Sequence, residues 1–221
     1  FNDSEFLLAQ NRKQDFNIDV FSGRFDLEKK LKNDYKIEVG ALYLSAKGKT
    51  KISISDFDAE NEIASNYNLN EKNIAGYTQL SGKLKNNNFL VGFRVENTDV
   101  TGKFKTDSIP LINKNYVDFF PKFQFEIPID SLKSISFNYS KSIIRPNYSA
   151  MNQGSTYINP FYLYARNVNL DPTINNEIAT SFQYKNKSVQ LRYYQNSNPV
   201  YSSYIYDDFS NILMFKEVNF D

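Results

Sequence analysis

Residues 122–140 read Lys122-Phe123-Gln124-Phe125-Glu126-Ile127-Pro128-Ile129-Asp130-Ser131-Leu132-Lys133-Ser134-Ile135-Ser136-Phe137-Asn138-Tyr139-Ser140. Their pattern decides the fold class. Phe123, Phe125 and Ile127 alternate with Lys122, Gln124 and Glu126. Ile135, Phe137 and Tyr139 alternate with Ser134, Ser136, Asn138 and Ser140. Successive side chains on a strand point to opposite faces, so each run has one apolar and one polar face. Asp130-Ser131 between the runs is short, polar and turn-prone. Two alternating runs joined this way form an antiparallel hairpin.

The same period extends in both directions. Tyr35, Ile37, Val39, Ala41 and Tyr43 alternate with Lys36, Glu38 and Gly40. Further runs carry Phe89, Val91, Phe93 and Val95, then Ile178, Thr180, Phe182 and Tyr184, then Val189, Leu191 and Tyr193. The spacing predicts strands over 16–31, 35–47, 73–85, 89–102, 116–128, 133–142, 175–185, 188–196, 200–207 and 212–220. Tight turns fall at Lys32-Asn33-Asp34, Asn86-Asn87-Asn88, Asp130-Ser131 and Asn186-Lys187. The connections between hairpins are longer, over 46–72, 103–115 and 143–174, with a short hairpin arm near 51–57. Alternating short and long connections place tight turns at one end of a sheet and loops at the other. A membrane barrel is built that way, and most of the runs reach the roughly 9–11 residues of a tilted membrane strand. The expected fold is all-β, an antiparallel transmembrane β-barrel, with residues 1–221 as one partial barrel domain.

Composition agrees. The 16 tyrosines and 19 phenylalanines make the chain rich in aromatics, while its mean hydropathy is only -0.54. Strands with one wet and one apolar face average out this way. No apolar run approaches the roughly 18 residues of a membrane helix, which excludes a helical span but not a barrel. The chain has no cysteine and no histidine. Thiolate chemistry is absent, as are the usual general base and the commonest metal ligand. A formal net charge of +1 gives no global field for nucleic acid. The chain opens at Phe1 without an initiator methionine or a signal-peptide pattern. Either a leader has been removed or the sequence starts mid-protein; the second is the expectation, with no enzyme activity and no cofactor.

Several segments carry a family resemblance. They begin at Phe21-Ser22-Gly23-Arg24-Phe25-Asp26 and Glu38-Val39-Gly40-Ala41, and continue through Asn73-Ile74-Ala75-Gly76-Tyr77 and Gly92-Phe93-Arg94-Val95-Glu96-Asn97-Thr98. Tyr116-Val117-Asp118-Phe119-Phe120-Pro121 follows, then Tyr139-Ser140-Lys141-Ser142-Ile143-Ile144-Arg145-Pro146-Asn147-Tyr148. Asn159-Pro160-Phe161, Asn167-Val168-Asn169-Leu170-Asp171-Pro172 and Asn175-Asn176-Glu177 complete the set. In order and spacing this resembles the barrel of TonB-dependent outer-membrane receptors, the outer membrane protein beta-barrel family, over residues 16–195. Members usually read Gly-Asn-Pro-Asn-Leu where this chain has Arg166-Asn167-Val168-Asn169-Leu170. The resemblance implies part of a larger barrel of about 22 strands around a plug domain. It implies outer-membrane lipid as surroundings, in a Gram-negative bacterium. A TonB-type energising protein would be reached through an N-terminal region outside this chain, and a surface lipoprotein is a further partner by analogy.

The candidate ligand-binding residues lie in loops. Arg145-Pro146-Asn147-Tyr148 opens the longest one, where proline ends a strand. Arg145 and Tyr148 either line a ligand path or anchor the loop on the rim, and the anchor is the better reading. Phe161, Tyr162 and Tyr164 either stack on a nutrient or belong to an aromatic girdle or loop packing, which is preferred. Asp56, Asp58, Glu60 and Glu62 alternate in an acidic stretch whose oxygens suit Ca²⁺, but no calcium-loop spacing is present. A solvated loop is the better reading there. Lys47, Lys49 and Lys51 around Gly48 read as a wet loop, without the spacing of a phosphate loop.

The function expected is part of the barrel wall of a nutrient-importing receptor. Phe123 and Phe137 would then face lipid and their polar neighbours the lumen. The alternatives are a structural or docking outer-membrane barrel without transport, and a soluble secreted all-β binding module whose apolar faces meet in a sandwich.

Overall fold

The computed structural model describes residues 10–56, 62–151, 155–159 and 161–220. In chain order the strands are β1 (Gln10–Lys30), β2 (Lys36–Asp56), β3 (Glu62–Leu84), β4 (Asn87–Phe104), β5 (Ile112–Asp130) and β6 (Lys133–Ile144). There follow β7 (Ser155–Asn159), β8 (Tyr162–Ala165), β9 (Thr173–Tyr184), β10 (Lys187–Ser197), β11 (Val200–Asp207) and β12 (Ile212–Asn219). Eight strands form one antiparallel sheet in the order β1-β2-β3-β4-β5-β6-β9-β10. The sheet is open: among the described residues β1 and β10 are unpaired edges. Tight turns at 31–35, 85–86, 131–132 and 185–186 mark one end, and the longer connections leave from the other.

Register fixes the two faces. Leu27, Val39, Thr78, Phe93 and Pro121 succeed one another across five strands on the outer face. Phe123, Tyr139, Ile178 and Tyr193 continue that face. Among the described residues nothing packs on it, and Phe25 is 65% exposed and Leu191 72%. The inner face carries Arg24, Tyr77, Arg94, Lys122, Asn138 and Ser140, and the Ser136 and Ser181 hydroxyls lie 2.6 Å apart across β6 and β9. Phe123 and Phe137 fall on the apolar face and Ser136 on the polar one, as the alternation predicts. The sandwich alternative needs these rings buried in a dry layer, and they are open.

Three expectations are corrected. Residues 46–72 are mostly strand, because β2 runs to Asp56 and β3 starts at Glu62. The alternation does not stop there; it changes phase. Up to Tyr43 the apolar residues point outward, whereas beyond it Ile52, Tyr67 and Leu69 point inward and Lys47, Lys49 and Lys51 point outward. Such a reversal is what a strand shows on leaving lipid, and it reads as a loop if one phase is assumed. The lysines are therefore strand residues, and the arm expected near 51–57 is, as far as Asp56, the continuation of β2; residue 57 lies outside the described residues. Second, the 143–174 connection contains β7 and β8. Third, β11 and β12 are strands but not wall strands. Asn198 takes a left-handed φ of 54° before Pro199 and turns the chain off the wall. The four strands form a small sheet in the order β11-β12-β8-β7, with β12 parallel to β8. Asp58 and Glu60 of the acidic stretch, and Pro160, lie outside the described residues.

The eight-stranded sheet has no second layer, so the apolar cluster on its inner face needs another cover. Tyr67, Leu69, Val100 and Ile112 on the inner face meet Met151 from the β6–β9 connection, with Phe104, Tyr148 and Val168 around them. The connection thus folds back over the inner face at the loop end. Its route starts where the β5–β6 ladder stops, at Lys122 opposite Ser140. The next residue along is Pro121, which has no N–H to donate.

Candidate functional site

The inner face is a polar surface with two levels. At mid-height, Asp26, Gly40, Tyr77, Arg94 and Phe120 lie in one cross-strand row. The Arg24 guanidinium donates to both Asp26 oxygens at 2.7 and 3.0 Å and to the Tyr77 hydroxyl at 3.1 Å. The Tyr77 hydroxyl in turn donates to Asp26. Arg94 stands 4.8 Å from the centre of the Phe120 ring. A groove of about 520 Å³ opens here, lined among others by Arg24, Tyr77, Gln79, Arg94, Phe120 and Lys122. Cationic and amide donors over an aromatic floor suit a polar solute carrying negative charge or acceptors.

One level further toward the loop end the groups are buried and paired. Glu96 is 3% exposed and receives Arg94 at 2.8 Å on one oxygen and Arg145 on the other. Asn73 Nδ2 donates to Glu96 at 3.2 Å and to Thr98 Oγ1 at 2.8 Å. Arg145 also donates to Thr98 Oγ1 at 3.2 Å and approaches Glu71 at 3.6 Å. Two guanidinium groups thus face two buried carboxylates, a balance that avoids an uncompensated charge. Alternation explains the supply of groups, since β3 and β4 turn Glu71, Asn73, Glu96 and Thr98 to one face. Lys114 on β5 holds the far end of the connection through Asp171 at 2.6 Å and the Asn169 carbonyl at 3.0 Å.

The residues singled out from the sequence separate into two groups. Arg145 and Tyr148 come together at the buried level. Burial, with the Glu71 carboxylate nearby, pushes the Tyr148 phenol up, so it stays protonated and able to donate. Their geometry is that of a loop anchor. Tyr162 and Tyr164 sit apart on β8 in the small sheet, and Phe161 before them is 69% exposed. Tyr164 stacks on Phe215 at 5.2 Å, Phe215 meets Tyr204 at 5.3 Å, and Arg166 covers Tyr164 at 4.6 Å. Arg24, Glu71, Tyr77 and Arg94 were not singled out. Arg24, Tyr77 and Arg94 stand in the segments that carry the family resemblance, but beyond that their signal is polar parity on an alternating strand, which every inward residue shares. Among the described residues no cluster of carboxylates could hold a metal ion, and no helix is long and apolar enough to cross a membrane.

This architecture matches known proteins. The structure of a copper transporter, OprC, superposes with a TM-score of 0.67 at 11% identity, covering 94% of this chain and 34% of that one. The ferric citrate transporter FecA in its unliganded form gives 0.60 at 11% identity, covering 92% and 31%. The chain thus spans about a third of each, and the likeness is one of fold. No curated protein sequence matches. The pattern of the outer membrane protein beta-barrel family matches residues 2–221. With its open apolar face, polar inner face and tight turns at one end, the chain belongs to the outer membrane protein beta-barrel family of the Gram-negative outer membrane.

Proposed function

We propose that the chain forms part of the barrel wall of a TonB-dependent outer-membrane receptor that imports a scarce nutrient. The observation that carries this reading is an open sheet with an apolar outer face, a charged inner groove and, among the described residues, two unpaired edges. Exposed edges cannot persist in lipid, because their N–H and C=O groups have no partner there. Further strands on both edges would close a wall wider than eight strands, with room for a solute. The inner face supplies donors along the path, at Arg24, Tyr77, Arg94 and Lys122. The β6–β9 connection narrows the loop end of that path. The wall performs no covalent step in this reading, and residues 1–221 act as one unit. Energy would come from a TonB-type protein acting on a region outside this chain. The likeness to OprC and FecA supports a transporter-type wall and leaves the solute open.

The test is uptake. A strain carrying Arg24→Gln together with Arg94→Gln in the intact gene is compared with wild type across panels of labelled metal chelates, cofactors and oligosaccharides. Loss of uptake of one class, at equal barrel abundance and only with an active energising protein, supports import. Equal uptake of every class by a strain deleted for the gene overturns it.

A further inference from the structure

Above the apolar belt the outer face becomes basic. The outermost lipid-side apolar groups are Phe21, Tyr43, Ile74, Val95 and Val117. Beyond them, the same face carries Lys47, Lys49 and Lys51 on β2, Lys72 on β3, Lys103 on β4 and Lys105 just after it. All six are exposed. Lys105 stays in register because its N–H donates to the Asn66 carbonyl at 2.9 Å. Asp15, Asp19 and Asp99 share the face, so lysines outnumber carboxylates there. Among the described residues none of the six makes an ion pair. An open groove of about 700 Å³ runs between Asp15, Asn17, Lys49, Lys51, Asn68 and Lys105. Two residues of strand rise roughly 7 Å, so Lys72 lies one such step above Ile74 and Lys47 two steps above Tyr43. Lys49 and Lys51 follow three and four steps above Tyr43, and Lys103 and Lys105 four and five steps above Val95, so Lys72 and Lys47 stand nearest the edge of the belt.

We propose that this face binds the phosphate groups of the phosphorylated glycolipid in the outer leaflet of the outer membrane. Charge complementarity selects the occupant. Lysines on adjacent strands, rising from the edge of the belt, lower their electrostatic energy on a multiply phosphorylated headgroup, and asparagine amides between them meet its sugar hydroxyls. The loop end of a barrel faces outward, so this is the leaflet within reach. Lysines also flank the turn end, at Lys29 and Lys133, but there Lys133 is paired with Asp130 at 3.2 Å. The proposal rests on the outer-membrane location and on the facing of the belt, not on transport.

The intact protein is extracted from the outer membrane in mild detergent, and its bound glycolipid is quantified by mass spectrometry. Lys47→Gln, Lys49→Gln and Lys72→Gln together should cut retained glycolipid by at least about tenfold. Lys29→Gln with Lys133→Gln should leave it unchanged. Wild-type protein should bind vesicles of the phosphorylated glycolipid more tightly than its dephosphorylated form, anionic glycerophospholipid or inorganic phosphate. Equal retention by the triple variant, or equal binding of the dephosphorylated form or the glycerophospholipid, overturns the proposal. If the triple variant does not fold, the vesicle comparison on wild-type protein decides alone. Uptake can fail in the preceding test without altering this result.

Discussion

Tyr77 on β3 lies across Gly40 on β2 and hydrogen-bonds Asp26 on β1, so one side chain ties three strands together. The crossing is possible because Gly40 has no Cβ; one placed there would overlap the Tyr77 ring. An aromatic laid over a glycine also covers backbone that would otherwise be bare. Gly40→Val should therefore cost about 1–3 kcal/mol through overpacking. Adding Tyr77→Ala should recover part of that loss, since the clash goes with the ring. Urea unfolding in lipid vesicles measures both. If the single variant loses nothing, the ring is not held across Gly40.

Arg145 holds the β6–β9 connection on two nearly buried carboxylates. Arg145→Met removes the cation and leaves Glu71 and Glu96 with Arg94 alone. Breaking a fully buried pair costs about 3–5 kcal/mol. The Arg145 side chain keeps 27% of its exposure, so a loss of about 2–3 kcal/mol is expected. Limited proteolysis should find new cleavage near Met151, because the anchor at that end is gone. Adding Glu71→Gln should lessen the loss. A protease pattern like that of wild type would show that Met151 and its apolar contacts hold the connection without the arginine.

The faces of the wall were legible in the sequence because parity is local: Phe137 and Ser136 are assigned by counting residues. The extent of β2 and β3 was not, because a phase reversal above Tyr43 imitates the end of a strand. The buried site was visible only in pieces. Arg94 and Glu96 stand in a recognisable run, but nothing local says that Arg145 reaches Glu96 across β5. The small sheet was hidden for the same reason. β12 pairs with β8 in parallel over some fifty residues of chain (Phe215 opposite Tyr164), and such pairing leaves no local signal.

Facing makes a sharp pair of predictions. Phe137 is 46% exposed on the outer face, and Ser136 beside it faces Ser181 inside. Phe137→Lys should cost about 2–4 kcal/mol if it lies near the midplane of the bilayer. Ser136→Lys should be tolerated, since its ammonium enters water. Barrel assembly, read as the heat-modifiable band on a gel, should fall only for the first. Equal assembly of both would deny lipid on the Phe137 side.

Two hairpins turn on a lysine in the left-handed region, Lys85 with φ 58° and Lys185 with φ 52°. A side chain there brings Cβ close to the following carbonyl and costs roughly 1–2 kcal/mol for an ordinary residue. Asparagine tolerates that conformation better, and Asn33, Asn198 and Asn211 adopt it in this chain. Lys85→Asn should therefore raise stability by about 0.5–1 kcal/mol, seen as a higher urea midpoint in vesicles at unchanged slope. Lys185→Asn removes a cation lying 5.4 Å from the Tyr184 ring, so its gain should be smaller by the about 0.5 kcal/mol of an exposed cation–π contact. A midpoint lowered by Lys85→Asn would mean that the turn is held by the lysine itself and not merely endured.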